Sequence, residues 1–404
     1  MTTVNKLFRR LRAADYTPLL LCWATAAFYC FFCAYTGRNA VGASGYPTYT
    51  LQALAWREGK VALGQDYPWL ELATYQNDWY VSFPPVPSVP LFLFTFLFGS
   101  NTPENLLVKL YVLIGCLSVW RMLRSAGYEN ASAVGFALLC SFASCMLALT
   151  SEGAVWYQAQ TLAFCLTCAS LCAMYRGWTT LSLACYALAV GCRPFNALYG
   201  FLLLSMYISG CIKQKRTLRQ SILRVLPGVV IGLLIAAAYA WYNYIRFGNP
   251  LEFGHNYLPE FSWQGGTQFS LSHVANNVRR FIFGLPFFRG QKGLETERFG
   301  FSFLIANPVF LLMLGWIAAD LIRRRMNLQK LLIIGLLLTQ LFLLLLHRTF
   351  GGFQFGARYT CDLLPYAAAY LALPGHARHM RGIEKAVLVF AAAFAVYGSL
   401  EILL

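Results

Sequence analysis

The sequence predicts an all-α, polytopic transmembrane helical bundle of about eleven spans, with an external first loop that carries juxtamembrane helices. Of its 404 residues, 58% are hydrophobic and only 12% are charged, whereas soluble domains carry roughly 25% charge. Apolar runs of about 17 to 25 residues, long enough to cross a ~30 Å hydrocarbon core, recur from Thr17 to the C-terminus. Because a backbone in lipid must satisfy its own hydrogen bonds, these runs are expected to be helical.

Basic residues decide the expected orientation. Lysine and arginine between residues 6 and 12 precede the first run, so the positive-inside rule puts the N-terminus in the cytoplasm. The net charge of +16 comes from short basic loops between apolar runs, which indicates topology rather than binding of nucleic acid. The first run is too long for a signal peptide and lacks a persuasive cleavage site, so it is interpreted as an uncleaved span. The thirteen cysteines lie mostly in apolar segments and are interpreted as small packing residues.

The chain is expected to form one transmembrane domain over residues 1–404, with external loops at 37–86, 247–302 and 347–358. Residues 86–99 are apolar but too short for an ordinary span. If this segment dips into the membrane and returns to the same side, the basic residues of the later loops obey the positive-inside rule. A short, tilted crossing is the alternative for this segment. The expected spans are 17–36, 103–120, 131–150, 154–175, 179–192, 195–212, 225–246, 303–322, 329–346, 359–374 and 385–404.

The first external loop contains the acids that most favour a catalytic role. Asp66, Glu71 and Asp78 fall within thirteen residues, in a chain that has only 16 acidic residues. One of them is expected to act as a general base that takes the proton from an attacking hydroxyl, and the alternative for each is a solvated loop acid. Glu71 is favoured because aromatic and apolar neighbours would desolvate it; Asp78 is second, and Asp66 and Tyr80 are candidate substrate contacts.

Further candidates lie at other predicted external positions. Glu152 stands alone between two spans and could face the loop acids as a second carboxylate, or be a simple interfacial acid. Arg193, before Pro194, interrupts a long apolar stretch, so it is a candidate phosphate ligand or a snorkelling helix-end arginine. His255 and Asn256 follow a span in a glycine-containing stretch, which could line a sugar pocket or form a turn-rich loop.

Arg358 and Asp362 open a late span at a spacing of i, i+4. On an α-helix this spacing would put both side chains on one face, where they could form an ion pair. The alternative is that they contact a phosphate or a sugar.

The loop motifs are similar to those of a known group of enzymes. Glu71-Leu72-Ala73, Tyr75 and Tyr80-Val81-Ser82-Phe83-Pro84-Pro85, then Arg193-Pro194, then the run from Phe355 to Pro365 resemble the GT-C superfamily of membrane glycosyltransferases. That group includes protein O-mannosyltransferases and lipid A aminoarabinose transferases, and the likeness is greatest to bacterial relatives. In the better-known members an aspartate follows the first span directly, whereas residues 37–48 here contain no acid. The base is therefore expected among the later loop acids.

The resemblance implies an inverting glycosyltransferase that moves a sugar from a polyprenyl-phosphate lipid to a glycan, lipid or protein acceptor on the outer face of a bacterial cytoplasmic membrane. Glu71, Asp78 and Glu152 are the expected catalytic residues; Asp66, Tyr80, Arg193, His255, Asn256, Arg358 and Asp362 are the expected substrate contacts. A divalent cation between carboxylates and phosphate is compatible with this chemistry, although no ligand spacing requires one. The alternatives are a flippase of a lipid-linked sugar and a glycan ligase or polymerase.

Overall fold

The computed structural model describes residues 15–259, 268–290, 293–349 and 351–403. The chain divides into two compact units, with the boundary after Ala40. The first unit contains helix α1 (Thr17–Thr36), which has Pro18 in its first turn and ends at Gly37, where a φ of 67° closes the helix. Apolar side chains are exposed along α1, as expected of a helix in lipid.

The second unit is a helical bundle with two small hairpins. Its first α-helices are α2 (Thr48–Arg57), α3 (Ser88–Phe98), α4 (Glu104–Ser125), α5 (Asn130–Leu139), α6 (Met146–Leu149), α7 (Val155–Tyr175), α8 (Thr179–Val190), α9 (Tyr199–Lys213) and α10 (Leu218–Phe247). There follow α11 (Val274–Phe281), α12 (Phe303–Ala306), α13 (Val309–Ile322), α14 (Leu328–Leu345), α15 (Leu364–Ala372) and α16 (Gly382–Leu403). Short 3₁₀ turns at Pro194–Leu198 and Arg358–Leu363 lead into α9 and α15.

Helix α7 is the centre of the bundle. It packs along α4 and against α8, and α8 in turn packs against α10. Most of its side chains are buried, including Cys165, Cys168 and Cys172. All thirteen cysteines are free thiols, as their interpretation as packing residues requires.

The helical class is confirmed, and several helices match their predicted bounds within a few residues. Several expected spans are interrupted or begin irregularly, however. Residues 131–150 break between α5 and α6, where the hydroxyls of Ser141 and Ser144 bond to backbone carbonyls. Residues 303–322 break at Asn307-Pro308, and residues 359–374 begin as a 3₁₀ turn.

Among the described residues, six helices are long and apolar enough to cross a membrane: Thr17–Thr36, Glu104–Ser125, Pro194–Lys213, Leu218–Phe247, Leu328–Leu345 and Gly382–Leu403. Four further apolar helices are shorter, and α3 is among them with eleven residues. The number of about eleven spans and the re-entrant path of residues 86–99 therefore stay predictions.

A β-hairpin within the first predicted external loop was not part of the all-α prediction. Strands β1 (Leu72–Tyr75) and β2 (Asp78–Val81) pair antiparallel, with Leu72 opposite Val81 and Tyr75 opposite Asp78. Gln76 and Asn77 form the two-residue turn at φ values of 51° and 62°, the left-handed pair that a type I′ turn requires. A second hairpin joins β3 (Phe287–Gly290) to β4 (Gly293–Thr296). The predicted helix of the first loop is confirmed as α2.

Candidate active site

Trp156, in the first turn of α7, joins the first-loop hairpin to the helical bundle. Its indole Nε1 donates a 2.8 Å hydrogen bond to Glu71 Oε2, and Glu71 lies directly before β1. The other side of the site is formed by Tyr46, whose ring centroid is 5.2 Å from that of Trp156. Glu71 is exposed.

Two glutamates hold the segment that carries Tyr46. Glu152 Oε1 accepts hydrogen bonds of 3.2 Å from Ser44 Oγ and from the backbone N–H of Gly45. Glu104, which opens α4, is buried; its Oε2 accepts from the Ser44 backbone N–H at 3.0 Å and its Oε1 accepts from Thr50 Oγ1 at 2.5 Å. Glu152 and Glu71 thus approach the Trp156–Tyr46 pair from two different chain segments.

Arg358 lies on the third side of this aromatic group. Its guanidinium carbon is 5.8, 5.6 and 5.4 Å from the ring centroids of Trp156, Tyr157 and Tyr359, within the range of cation–π attraction. The residue is only 6% exposed, and its Nε has no hydrogen-bond partner among the described residues. None of the ion pairs among the described residues includes Arg358. A buried cation in this state favours an external anion as its partner.

The expected ion pair between Arg358 and Asp362 is wrong. Asp362 Oδ2 instead accepts from Arg193 Nε at 2.9 Å and lies 2.8 Å from Arg193 NH2, across 169 residues. Residues 358–363 form 3₁₀ turns, in which side chains align every three residues rather than every four, so the i, i+4 spacing separates the two side chains. Tyr359 lies between the two arginines, with Arg193 4.7 Å from its ring centroid.

Two histidines lie beside this group. The ring of His255 is 6.3 Å from that of His347, and the ring of His347 is 5.9 Å from that of Tyr359. Burial lowers the pKa of His255 to about 4 and the pKa of His347 to about 4. Both imidazoles are therefore neutral near pH 7, where they can orient a hydroxyl without adding positive charge.

Asp78 lies at the turn end of the hairpin, whereas Tyr80 pairs with Ala73 nearer to Glu71. Asp78 flanks the turn and accepts a 2.8 Å hydrogen bond from the backbone N–H of Trp79. Because Asp78 pairs with Tyr75, four residues after Glu71, the two acids are separated by roughly 13 Å along the strand. The Tyr80 ring packs against Phe247 at 5.3 Å.

Two further candidates lie in exposed turns. Asp66 is exposed in the segment before the hairpin. Asn256 Nδ2 donates a 2.7 Å hydrogen bond to Glu252 Oε2 within an exposed stretch of the 247–302 loop. Neither residue has a described contact with Glu71, Trp156 or Arg358. In the described part of the chain, no group of three or more histidine, cysteine or acidic residues has the geometry of a metal site.

Glu104, His347 and Trp156 were not among the sequence candidates. Glu104 follows Pro103 at the predicted start of a span, which was a usable signal for a helix-end carboxylate. In the sequence, Trp156 resembles an ordinary tryptophan at the membrane interface, and only its contacts in the structure distinguish it. His347 gains its neighbours through a β-bridge of its backbone with Phe269, a long-range contact without a local pattern.

Comparison with known proteins gives a structural likeness. No protein-family model matches the chain, and no curated protein matches it. Among solved structures, the chain is similar to the apo form of the Archaeoglobus fulgidus oligosaccharyltransferase, with a TM-score of 0.52 and 12% identity over 96% of this chain and 56% of that chain. The archaeal oligosaccharyltransferase AglB from the same organism, in complex with an inhibitory peptide and a dolichol-phosphate, gives a TM-score of 0.47, 10% identity and the same coverage.

The chain thus spans little more than half of the length of these solved structures. At 12% identity, the likeness to the apo structure concerns the fold. The expected likeness to GT-C enzymes is confirmed at the level of the fold, because the chain folds like this solved oligosaccharyltransferase.

Proposed function

We propose that this protein is an inverting glycosyltransferase that moves a sugar from a polyprenyl-phosphate donor to an acceptor hydroxyl of a glycan, lipid or protein. The GT-C fold supports the reaction class. The observation that carries the proposal is the pairing of opposite charges around Trp156, with the Glu71 carboxylate on its indole N–H and the buried Arg358 guanidinium beside its ring.

The chemistry assigns Glu71 as general base. The acceptor oxygen attacks the anomeric carbon, its proton passes to the Glu71 carboxylate, and a new glycosidic bond forms. The bond between the anomeric carbon and the phosphate oxygen breaks at the opposite face, and its electron pair leaves with the lipid phosphate. A positioned carboxylate base contributes about 10²–10⁴-fold to such a step.

Arg358 receives the leaving phosphate. Charge develops on the phosphate oxygen as the bond breaks, and a buried guanidinium without an ion pair among the described residues stabilises that charge. The Trp156, Tyr157 and Tyr359 rings exclude water around the guanidinium, which strengthens its electrostatic effect.

Arg193 is already engaged by Asp362, so the pair positions Tyr359 and adds positive potential near the phosphate. Glu152 shapes the acceptor side by holding the Tyr46 segment. His255 orients the sugar or the acceptor as a neutral hydrogen-bonding group. Asp78, Tyr80, Asp66 and Asn256 lie further along the same loops and contact the more distant part of a large acceptor.

The charge distribution supports an active site on the outer face of a bacterial cytoplasmic membrane. Trp156 and Tyr175 lie at opposite ends of α7, which separates them by roughly 30 Å, the thickness of a hydrocarbon core. Basic loops, including 213–216 and 323–325, lie at the end of the bundle that contains Tyr175. By the positive-inside rule that end is cytoplasmic and the Trp156 end faces outward.

The test is sugar transfer from a radiolabelled polyprenyl-phosphate sugar in membranes that contain the wild type, Glu71→Gln or Glu58→Gln. Glu58 is an exposed acid of the same loop, paired with Lys60, and serves as the matched control. We expect Glu71→Gln to reduce transfer at least ~10²-fold and Glu58→Gln to retain it. Equal transfer by both variants would remove Glu71 as the base, and translocation of the lipid without any transfer would identify a flippase instead.

A further inference from the structure

A cavity lies at the end of the bundle opposite the candidate active site. It has a volume of about 430 Å³ and is formed where α4, α7, α9 and α15 end and where α10 and α14 begin. Helix α7 connects the two regions, with Trp156 at one end and Tyr175 at the wall of this cavity. We call it the basic cavity, after the cations that line it: Arg176, Lys213, Arg216, Arg224 and Arg378.

These five cations share one cavity, and the described residues that line it include no carboxylate. None of them takes part in the ion pairs among the described residues. Some are held by neutral groups: Arg224 NH2 donates to the Gly177 carbonyl at 2.7 Å, and Arg378 lies 4.9 Å from the Tyr128 ring centroid. Neutral contacts orient a guanidinium but do not offset like-charge repulsion, so the group favours a bound anion.

The positive-inside rule explains why basic residues lie at this end of the bundle. It does not explain why five of them surround one concave space. Cations gathered in one concave space repel each other, and exposed cations such as Arg219 and Arg324 lie outside the cavity. The grouping of five cations around one cavity is therefore an additional feature that needs its own explanation.

The inner wall of the basic cavity is apolar. Met122, Met174, Leu202, Met206 and Ile333 form this part of the lining. A neighbouring cavity of about 460 Å³ shares Gly177, Thr179 and Arg224 with it and adds Trp178 and Leu181, both half exposed. Cations at the rim and apolar side chains behind them match an amphiphile with an anionic head better than they match a free inorganic ion.

We propose that the basic cavity binds the phosphate group of an anionic membrane lipid, whose acyl chains extend over the apolar wall towards Trp178 and Leu181. Arg176, Lys213, Arg216 and Arg378 contact the phosphate oxygens, and Arg224 closes the passage between the two cavities. The site is separate from the candidate active site and does not depend on the proposed reaction.

Charge removal tests the proposal. The purified protein is titrated with dioleoyl phosphatidylglycerol, and with dioleoyl phosphatidylcholine for comparison, and bound lipid is counted by native mass spectrometry. We expect preferential binding of phosphatidylglycerol, and roughly tenfold weaker binding by the double variant Lys213→Gln/Arg216→Gln, because two charge-assisted contacts are lost. The double variant Arg219→Gln/Arg324→Gln loses the same charge outside the cavity and is expected to bind as the wild type does.

Steric filling tests it without any change of charge. A Cβ added at Gly210, in the lining of the cavity, meets no atom within 4 Å, and the same holds for Gly315 on an exposed face of α13. We expect Gly210→Phe to lose phosphatidylglycerol binding at least tenfold, and Gly315→Phe to retain it. A thermal melt of each variant establishes that both remain folded.

Three results would overturn the proposal. Equal loss of binding in the cavity and control variants would show that binding depends on general surface charge and not on this cavity. Equal affinity for phosphatidylcholine and phosphatidylglycerol would remove the role of the cations. Displacement of phosphatidylglycerol by an equal concentration of inorganic phosphate would identify a free-phosphate site.

Discussion

Trp156 donates a hydrogen bond to Glu71 across 85 residues of sequence, and this contact ties the first-loop hairpin to the central helix of the bundle. The indole N–H fixes the orientation of the Glu71 carboxylate through its Oε2. We therefore expect Trp156→Phe to lower the transfer rate about tenfold, because the ring stays beside Arg358 while the orienting N–H is lost. Trp69→Phe, at an exposed tryptophan of the same loop, is the control.

A double-variant cycle distinguishes orientation of the base from a general structural effect. If Trp156 acts through Glu71, Trp156→Phe in the Glu71→Gln background should cost little more than Glu71→Gln alone. Additive losses in rate would contradict this relationship.

Asp362→Asn is expected to destabilise the protein by about 3 kcal/mol, because it leaves the Arg193 guanidinium without its buried partner. The matched control is Glu401→Gln in the more exposed pair with Arg298, for which we expect a loss under about 1 kcal/mol. Thermal unfolding in detergent measures both. Equal shifts in Tm would contradict a special role for the Arg193–Asp362 pair.

Glu104→Ala is expected to lower the free energy of unfolding by roughly 2–4 kcal/mol. The substitution leaves the Ser44 backbone N–H and the Thr50 hydroxyl without their acceptor in a buried place. Transfer activity should fall with it, because the Tyr46 segment loses one of its two glutamate contacts. Glu129→Ala, at an exposed acid that makes no capping hydrogen bond, should change stability by less than about 0.5 kcal/mol.

Protonation of His255 and His347 should lower the stability of the protein as the pH falls. Burial lowers the pKa values of His255 and His347 to about 4, below the unfolded value of about 6.5. Between these values the unfolded chain binds more protons than the folded chain, so the histidine contribution is complete above pH 6.5 and is lost progressively as the pH falls towards 4. The variant His255→Gln/His347→Gln should show a flatter decline in Tm from pH 7 to 5, and an unchanged slope would contradict the assignment.

Much of the fold follows from local hydropathy. The bounds of α1, α7 and α14 agree with the predicted spans because an apolar run of this length has few alternatives to a helix in lipid. The breaks at 140–145 and at Asn307 depend on polar contacts, such as the one between the Cys145 backbone N–H and Asn307 Oδ1, which joins segments 162 residues apart. No local sequence pattern predicts such a contact.

The candidate site likewise combines features that the sequence indicates with features that only tertiary packing determines. The Gln76-Asn77 turn between aromatic-rich strands was a readable hairpin signal, but the dominant helical composition concealed it. Glu71, Glu152 and Arg358 were identified as candidates by charge in an apolar chain, whereas their meeting around Trp156 and the partner of Asp362 depend on tertiary packing. Arg358 and Asp362 lie in 3₁₀ turns and not in an α-helix, so their i, i+4 spacing does not place them on one face.

The most direct test of the account is the affinity of a short-chain polyprenyl phosphate for the wild type and for Arg358→Gln, measured by equilibrium binding to the purified protein. Arg298→Gln, in a more exposed arginine of the external loops, is the control. We expect Arg358→Gln to bind the lipid phosphate about ten- to a hundredfold more weakly, because it removes a charge-assisted contact in a buried site, and Arg298→Gln to bind it as the wild type does. Equal affinities for the wild type and Arg358→Gln would contradict the assignment of Arg358 to the leaving phosphate.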